Sequence, residues 1–303
     1  MSLSRPFHVP SSLEMRLAAV ETETDPDLRS EMLDQAVQSI PEADLSSALE
    51  NAVATGSPAA AEFMLLLVRR WAEVSPEAAA AWVAGLPKDS EYREALVQVA
   101  TAWADANLSG ALNWTASLPE DENKNSALIT IAYEAARTEP VAALDIACTL
   151  PPALQRDTLL AYAVSQWAAT DAAAASTWVQ RVPELGLRQN LLAEVAIGSA
   201  KQDASAAATL AATAINSGEA QDRAAVSIVE RWAQTSPADA AAWVTEFPDT
   251  PARQQAVQNL VSLWAPQDSR AATAWLQTLP AGSLREAGFE ALKATPAVQD
   301  VVN

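Results

Sequence analysis

Apolar residues return along most of this chain at i, i+3 and i+7, and each such stripe is followed by a short alanine-rich segment. Take Trp71, Trp103, Ala135, Trp167, Ser199, Trp232 and Trp264 as register marks. Seven residues before them stand Met64, Leu96, Leu128, Leu160, Leu192, Ala225 and Val257, with Phe289 continuing the series. Four before them stand Leu67, Val99, Ile131, Ala163, Val195, Ile228 and Leu260, then Leu292. Apolar side chains at that spacing share one face of an α-helix, so the pattern predicts a long helix with one buried side in every unit.

A second helix follows each mark. Four residues on lie Ser75, Asn107, Glu139, Asp171, Asp203, Ser236 and Asp268, and all but the glutamate are good N-caps. Pro76, Pro140 and Pro237 come next, where proline at the first helical position loses no hydrogen bond. Eight residues after the marks stand Ala79, Ala111, Ala143, Ala175, Ala207, Ala240 and Ala272. A methyl group there lets a neighbouring helix approach closely. The Leu-Pro steps at Leu86-Pro87, Leu118-Pro119, Leu150-Pro151 and Leu279-Pro280 end the short helix, because proline disfavours helix at the residue before it. Each unit therefore reads as a hairpin: a helix of about fifteen residues, a turn of a few residues and a shorter helix.

The tryptophans supply a ruler for these units. They fall into pairs of one spacing, Trp71/Trp82, Trp103/Trp114, Trp167/Trp178, Trp232/Trp243 and Trp264/Trp275, each followed by Pro87, Pro119, Pro183, Pro248 or Pro280. The unit is 32 residues long, extended once to 33 beside Asn216-Ser217-Gly218. Hairpins are predicted near 58–86, 90–118, 122–150, 154–182, 187–214, 219–247 and 252–279, with a closing helix near 283–294. The expected fold class is an all-α, right-handed α-solenoid of helical hairpins, one elongated body with a continuous core. Residues 1–24 read as an N-terminal tail with room for a short helix. An atypical capping hairpin follows over 25–57, opening at Asp25-Pro26, then seven repeats over 58–282 and a closing helix and tail over 283–303. Two units carry Ala135/Ile146 and Ser199/Leu210 in place of paired tryptophans, and each large-to-small exchange must be compensated by local collapse or by a neighbour's side chain.

The segment WAEVSPEAAAAWVAGLP follows a W-A-x-x-[DSN]-P-x-A-A-x-x-W-x-x-x-L-P motif, and WAQTSPADAAAWVTEFP follows it except at Asp239 and Phe247. The motif resembles arrays in uncharacterised bacterial repeat proteins. More distantly it is similar to the tetratricopeptide, Sel1 and HEAT class of helical-hairpin solenoids, although its proline stands far earlier than the tetratricopeptide pattern places it. The resemblance implies a scaffold or adaptor role and transfers no ligand and no functional residue.

Composition narrows the partners. The formal charge is −19, from 38 acidic against 19 basic residues, so the surface repels nucleic acid and anionic headgroups and favours a protein or peptide, a basic one above all. A single cysteine, Cys148, excludes an internal disulfide. No apolar run approaches membrane-spanning length and the first residues lack the apolar core of a signal peptide. As written the chain is expected in the cytoplasm, and outside it if a leader has been removed.

Candidate chemistry is sparse. The paired tryptophans fit an inter-repeat core better than a stacking platform for sugars or peptides. Lys124, Arg156, Arg188, Arg253 and Arg285 form a row five residues after each unit-ending proline or its equivalent, with Arg93 and Arg223 slightly displaced. That row is the candidate anion-binding track; the competing expectation is pairing with carboxylates of adjacent helices. N-capping accounts for the repeated aspartates, and Cys148 stands where other units have Ala84, Ala116 and Ala212. One His and one Cys cannot build a nucleophilic triad or a zinc site, so neither cofactor nor metal is expected and the chain reads as non-enzymatic. Two further readings stay open: a self-associating structural protein, and an α/α-toroid carbohydrate-active enzyme using paired carboxylates.

Overall fold

The computed structural model describes residues 12–247 and 250–295, and all regular structure among them is helical: sixteen α-helices and one 3₁₀ turn at Glu42–Asp44. Residues 1–11 with His8, residues 248–249 with Pro248, and residues 296–303 lie outside the described residues. Among the described residues no helix is long and apolar enough to cross a membrane.

Two compact units divide the chain, residues 1–135 and 136–303. The first holds α1 (Ser12–Thr22), α2 (Pro26–Gln38), α3 (Leu45–Thr55), α4 (Pro58–Val74), α5 (Pro76–Ala84), α6 (Ser90–Ala106) and α7 (Leu108–Ala116). Helix α8 (Glu122–Thr138) runs across the division. The second unit holds α9 (Pro140–Thr149), α10 (Leu154–Val179), α11 (Leu185–Ser199) and α12 (Ala204–Ala214). It continues with α13 (Glu219–Thr235), α14 (Pro237–Val244), α15 (Pro251–Thr278) and α16 (Ser283–Ala294). Within each unit helices pack on their neighbours in the chain: α4 on α6 in the first, and α11 on α13 and α13 on α15 in the second.

The apolar stripe forms the interior. Leu67, Val99, Ala163, Val195, Ile228 and Leu260 are all fully buried, and so are Ala79, Ala111, Ala143, Ala175, Ala240 and Ala272. Leu128 and Phe289, on the same stripe, keep part of their surface exposed. Leu150 and Leu279, just before prolines, are extended at ψ 149° and 145°, which ends the helices before them as proline sterics require.

The hairpin turn is tighter than the few residues expected. In most hairpins one non-helical residue separates the long helix from the short one, with nearly constant backbone angles: φ −143°, ψ 74° at Ser75, −157°, 89° at Asn107, −131°, 63° at Glu139 and −145°, 71° at Ser236. Asp171 and Asp268 adopt the same conformation inside α10 and α15, so each of those long helices is two helices joined at a kink. The single residue closes one helix and opens the next. Ser75 N–H donates to the Trp71 carbonyl at 2.7 Å while the Ser75 carbonyl accepts from Ala79 N–H at 3.1 Å.

Two chemistries hold this hinge. Asn107, Asp171, Asp203 and Asp268 accept from the backbone N–H three residues on, each at 2.9 Å. Ser75, Glu139 and Ser236 make no side-chain cap bond, and these are the positions followed by Pro76, Pro140 and Pro237. There the fixed φ of proline pre-sets the helical entry. The hairpin marked by Ser199 departs from the pattern: α11 stops at that residue and Ala200 to Asp203 intervene before α12. Helices α10 and α11 approach closely there, since a Cβ on Gly198 would stand 2.5 Å from the Ser165 carbonyl oxygen of α10.

Candidate functional site

The cationic row lies in the first turns of the long helices. Arg188 donates to the Val182 carbonyl at 2.8 Å, and Arg253 to the carbonyls of Val244 at 3.2 Å and Thr245 at 2.8 Å. Val244 and Thr245 stand at the end of α14 and Val182 just past the end of α10, and a helix C-terminus attracts positive charge. Lys124 pairs with Glu120, and Arg156 donates to Asp157 from Nε at 3.0 Å and Nη2 at 2.8 Å. The Arg285 guanidinium lies 5.7 Å from the Phe289 ring centre. Arg93 is exposed, and Arg223 reaches Glu194 at 3.2 Å.

Carboxylates of adjacent helices are thus not what the row meets at Arg188 and Arg253. The physical reason is proximity. At Arg188 and Arg253 the side chain eleven residues before the register mark reaches backbone carbonyls near the end of the preceding short helix, whereas Lys124 and Arg156 at the same register meet carboxylates close by in sequence. Gln221 occupies that register in its unit and reaches carbonyls with an amide, donating to the Ala211 and Ile215 carbonyls at 3.0 Å each.

The tryptophan pairs sit at the margin of the core. Trp103 and Trp264 are buried, at 7% and 6% exposure, while Trp71, Trp82, Trp114, Trp167, Trp178, Trp232, Trp243 and Trp275 are all partly exposed. Trp103 and Trp114 stack with ring centres 5.5 Å apart. Trp232/Trp243 and Trp264/Trp275 are tilted pairs at 6.1 Å, and Trp243 meets Phe247 edge-on at 4.5 Å.

Two of the partly exposed indoles form the walls of clefts in the second unit. One, about 390 Å³, is lined by Trp178 with Cys148, Arg156, Leu160, Arg181 and Glu184 among others. The other, about 310 Å³, is lined by Trp243 with Ala212, Gln221, Asp222, Ala225, Glu246 and Phe247 among others. Their linings correspond in register: Cys148 with Ala212, Arg156 with Gln221, Leu160 with Ala225, Trp178 with Trp243, Arg181 with Glu246. The same cleft is therefore built twice, with different charges.

Cys148 belongs to the first cleft, where it is exposed. Its surroundings push the thiol up, desolvation first and Asp145 second, against an opposing contribution from Arg156. A thiol held protonated is a poor nucleophile. Among the described residues no group of three or more His, Cys, Asp and Glu side chains is placed to hold a metal ion.

Sequence reasoning had marked Arg156, Trp178 and Trp243, and had read Cys148 as a small apolar residue. It passed over Gln221, Asp222, Arg181, Glu246 and Phe247. The available signal was their register: laying the units over one another brings Arg181 onto Glu246 and Arg156 onto Gln221.

No family model matches the chain, and no curated protein matches it. A solved structure, the crystal structure of Ton1535 from Thermococcus onnurineus NA1, is similar at 12% identity, covering 92% of this chain and 94% of that one with a TM-score of 0.28. A likeness at that level carries no argument about fold or function.

Proposed function

We propose that the protein is a right-handed solenoid of 32-residue helical hairpins that serves as a non-enzymatic scaffold, holding a protein or peptide along its concave face. The observation that carries this reading is the cleft repeated in register at Trp178 and Trp243. A repeated cleft with varied lining suits a ligand that is itself a chain and offers successive side chains to successive pockets. Partly exposed indoles supply rigid contact area at small entropic cost. The charge of −19 favours a basic ligand and speeds its encounter.

Random-peptide display on the purified full chain tests the reading, with Trp178→Ala and Trp243→Ala variants as counter-selections. The expected result is a peptide consensus lost in one or both variants. No enrichment, together with cleavage of a member of a glycan panel, would overturn the scaffold reading in favour of the carbohydrate-active one.

A further inference from the structure

The two clefts differ most at one pair of positions. In the first, Arg156 sits beside Asp157 and neutralises it through two donors on Oδ1. In the second, the corresponding residues are Gln221 and Asp222. The Gln221 amide is turned to the Ala211 and Ile215 carbonyls, and among the described residues Asp222 has no cationic partner. The neighbouring Arg223 is committed to Glu194. A second exchange works in the same direction, because Glu246 stands where the first cleft has Arg181. The Trp243 cleft thus combines two carboxylates with two aromatic side chains, Trp243 and Phe247, and among the described residues no lysine or arginine lines it.

We propose that the Trp243 cleft is a receptor for an arginine side chain of the bound peptide, whose guanidinium takes the place that Arg156 fills in the first cleft. This deepens the scaffold reading and rests on it. Arginine fits better than lysine here: its planar group can engage Asp222 with two donors, as Arg156 engages Asp157, while its face lies on an indole. Aromatic rings attract cations through their quadrupole, and carboxylates at the same site add to that attraction. The Trp178 cleft, which holds Arg156 and Arg181, is a built-in negative control.

The test is an NMR titration of the full chain with N-acetyl-arginine-N-methylamide, following indole N–H resonances assigned through Trp243→Phe and Trp178→Phe variants. A saturable shift of the Trp243 indole on the order of millimolar is expected for a single side chain, with the Trp178 indole unmoved. The citrulline analogue, equal in shape but uncharged, should bind at least about tenfold more weakly. Asp222→Asn should weaken arginine binding by about the same factor, and Gln221→Arg, which installs the internal guanidinium, should abolish it while circular dichroism stays unchanged. No shift at Trp243, equal shifts at both indoles, an equal response to citrulline, or undiminished binding by the Gln221→Arg protein would each overturn the proposal. A displayed-peptide consensus that lacks arginine yet depends on Trp243 would also overturn it, and would leave the scaffold reading standing. If instead arginine binds as described but no peptide is ever enriched, the scaffold reading is what fails.

Discussion

Three successive units solve one small problem with different side chains. Arg188, Gln221 and Arg253 all stand eleven residues before a register mark, and all donate to carbonyls near the end of the preceding short helix. Geometry, more than charge, is what the position needs. Arg253→Ala should therefore cost about 1–3 kcal/mol, the range for losing charge-assisted hydrogen bonds, whereas Arg253→Gln should cost less than about 1 kcal/mol. Urea unfolding midpoints distinguish the two; a glutamine as damaging as alanine would contradict the reading. The indoles divide similarly. Trp103→Ala removes a buried ring and should cost about 3–5 kcal/mol, while Trp178→Ala opens a cleft already in contact with solvent and should cost about 1–2 kcal/mol. The cationic row is legible in the sequence because charge is conspicuous in an alanine-rich helix. Its partners are not, since a backbone carbonyl carries no sequence signature, and Gln221 escapes any search for cations.

At the scale of elements, helix contacts depend on where a side chain is missing. Gly198 lies where α11 meets α10, and an added Cβ would stand 2.5 Å from a backbone oxygen. Gly198→Ala should destabilise by about 1–3 kcal/mol, because backbone cannot move aside as a flexible side chain can. Gly186, in the same helix, has nothing within 4 Å of that added atom. Gly186→Ala should stabilise by about 0.5 kcal/mol through reduced unfolded-chain entropy, and thermal melts of the two variants should move in opposite directions. Helix α11 also carries Glu194, whose carboxyl is pushed up by desolvation, with Arg223 opposing through charge and hydrogen bonding. A raised folded value means that stability from this group is present below the ordinary carboxyl range and is lost as pH rises through the raised value. Glu194→Gln should accordingly be more stable than the parent at about pH 7, with the difference closing toward about pH 4. A gap that widens on acidification would show that the Arg223 pair dominates. Asp121 behaves oppositely: hydrogen bonding from the Lys124 and Asn123 backbone lowers its value, so its contribution is lost on acidification. Helix existence and burial were readable from the i, i+3, i+7 stripe because that signal is local. The one-residue hinge was not, because a capping carboxylate and a proline look unlike each other while producing the same backbone angles.

For the whole molecule, the long-helix starts at Pro58, Ser90, Glu122 and Leu154 keep the spacing of the tryptophan ruler. Helices packing on their chain neighbours are what an array held together by nearest-neighbour interfaces requires. The all-helical class could be read from composition and periodicity alone. The clefts could not, because each draws on three successive hairpins, so its lining is scattered from Cys148 to Leu187 in one case and from Ala211 to Thr250 in the other. Small-angle X-ray scattering tests the proposed solenoid most directly. A compact body of this length would have a radius of gyration of about 19 Å and a symmetric distance distribution. The proposed solenoid requires a clearly larger radius and a distribution with a long tail, unchanged on dilution. A concentration-independent radius near the compact value, with a symmetric distribution, would contradict it and point to a closed toroid.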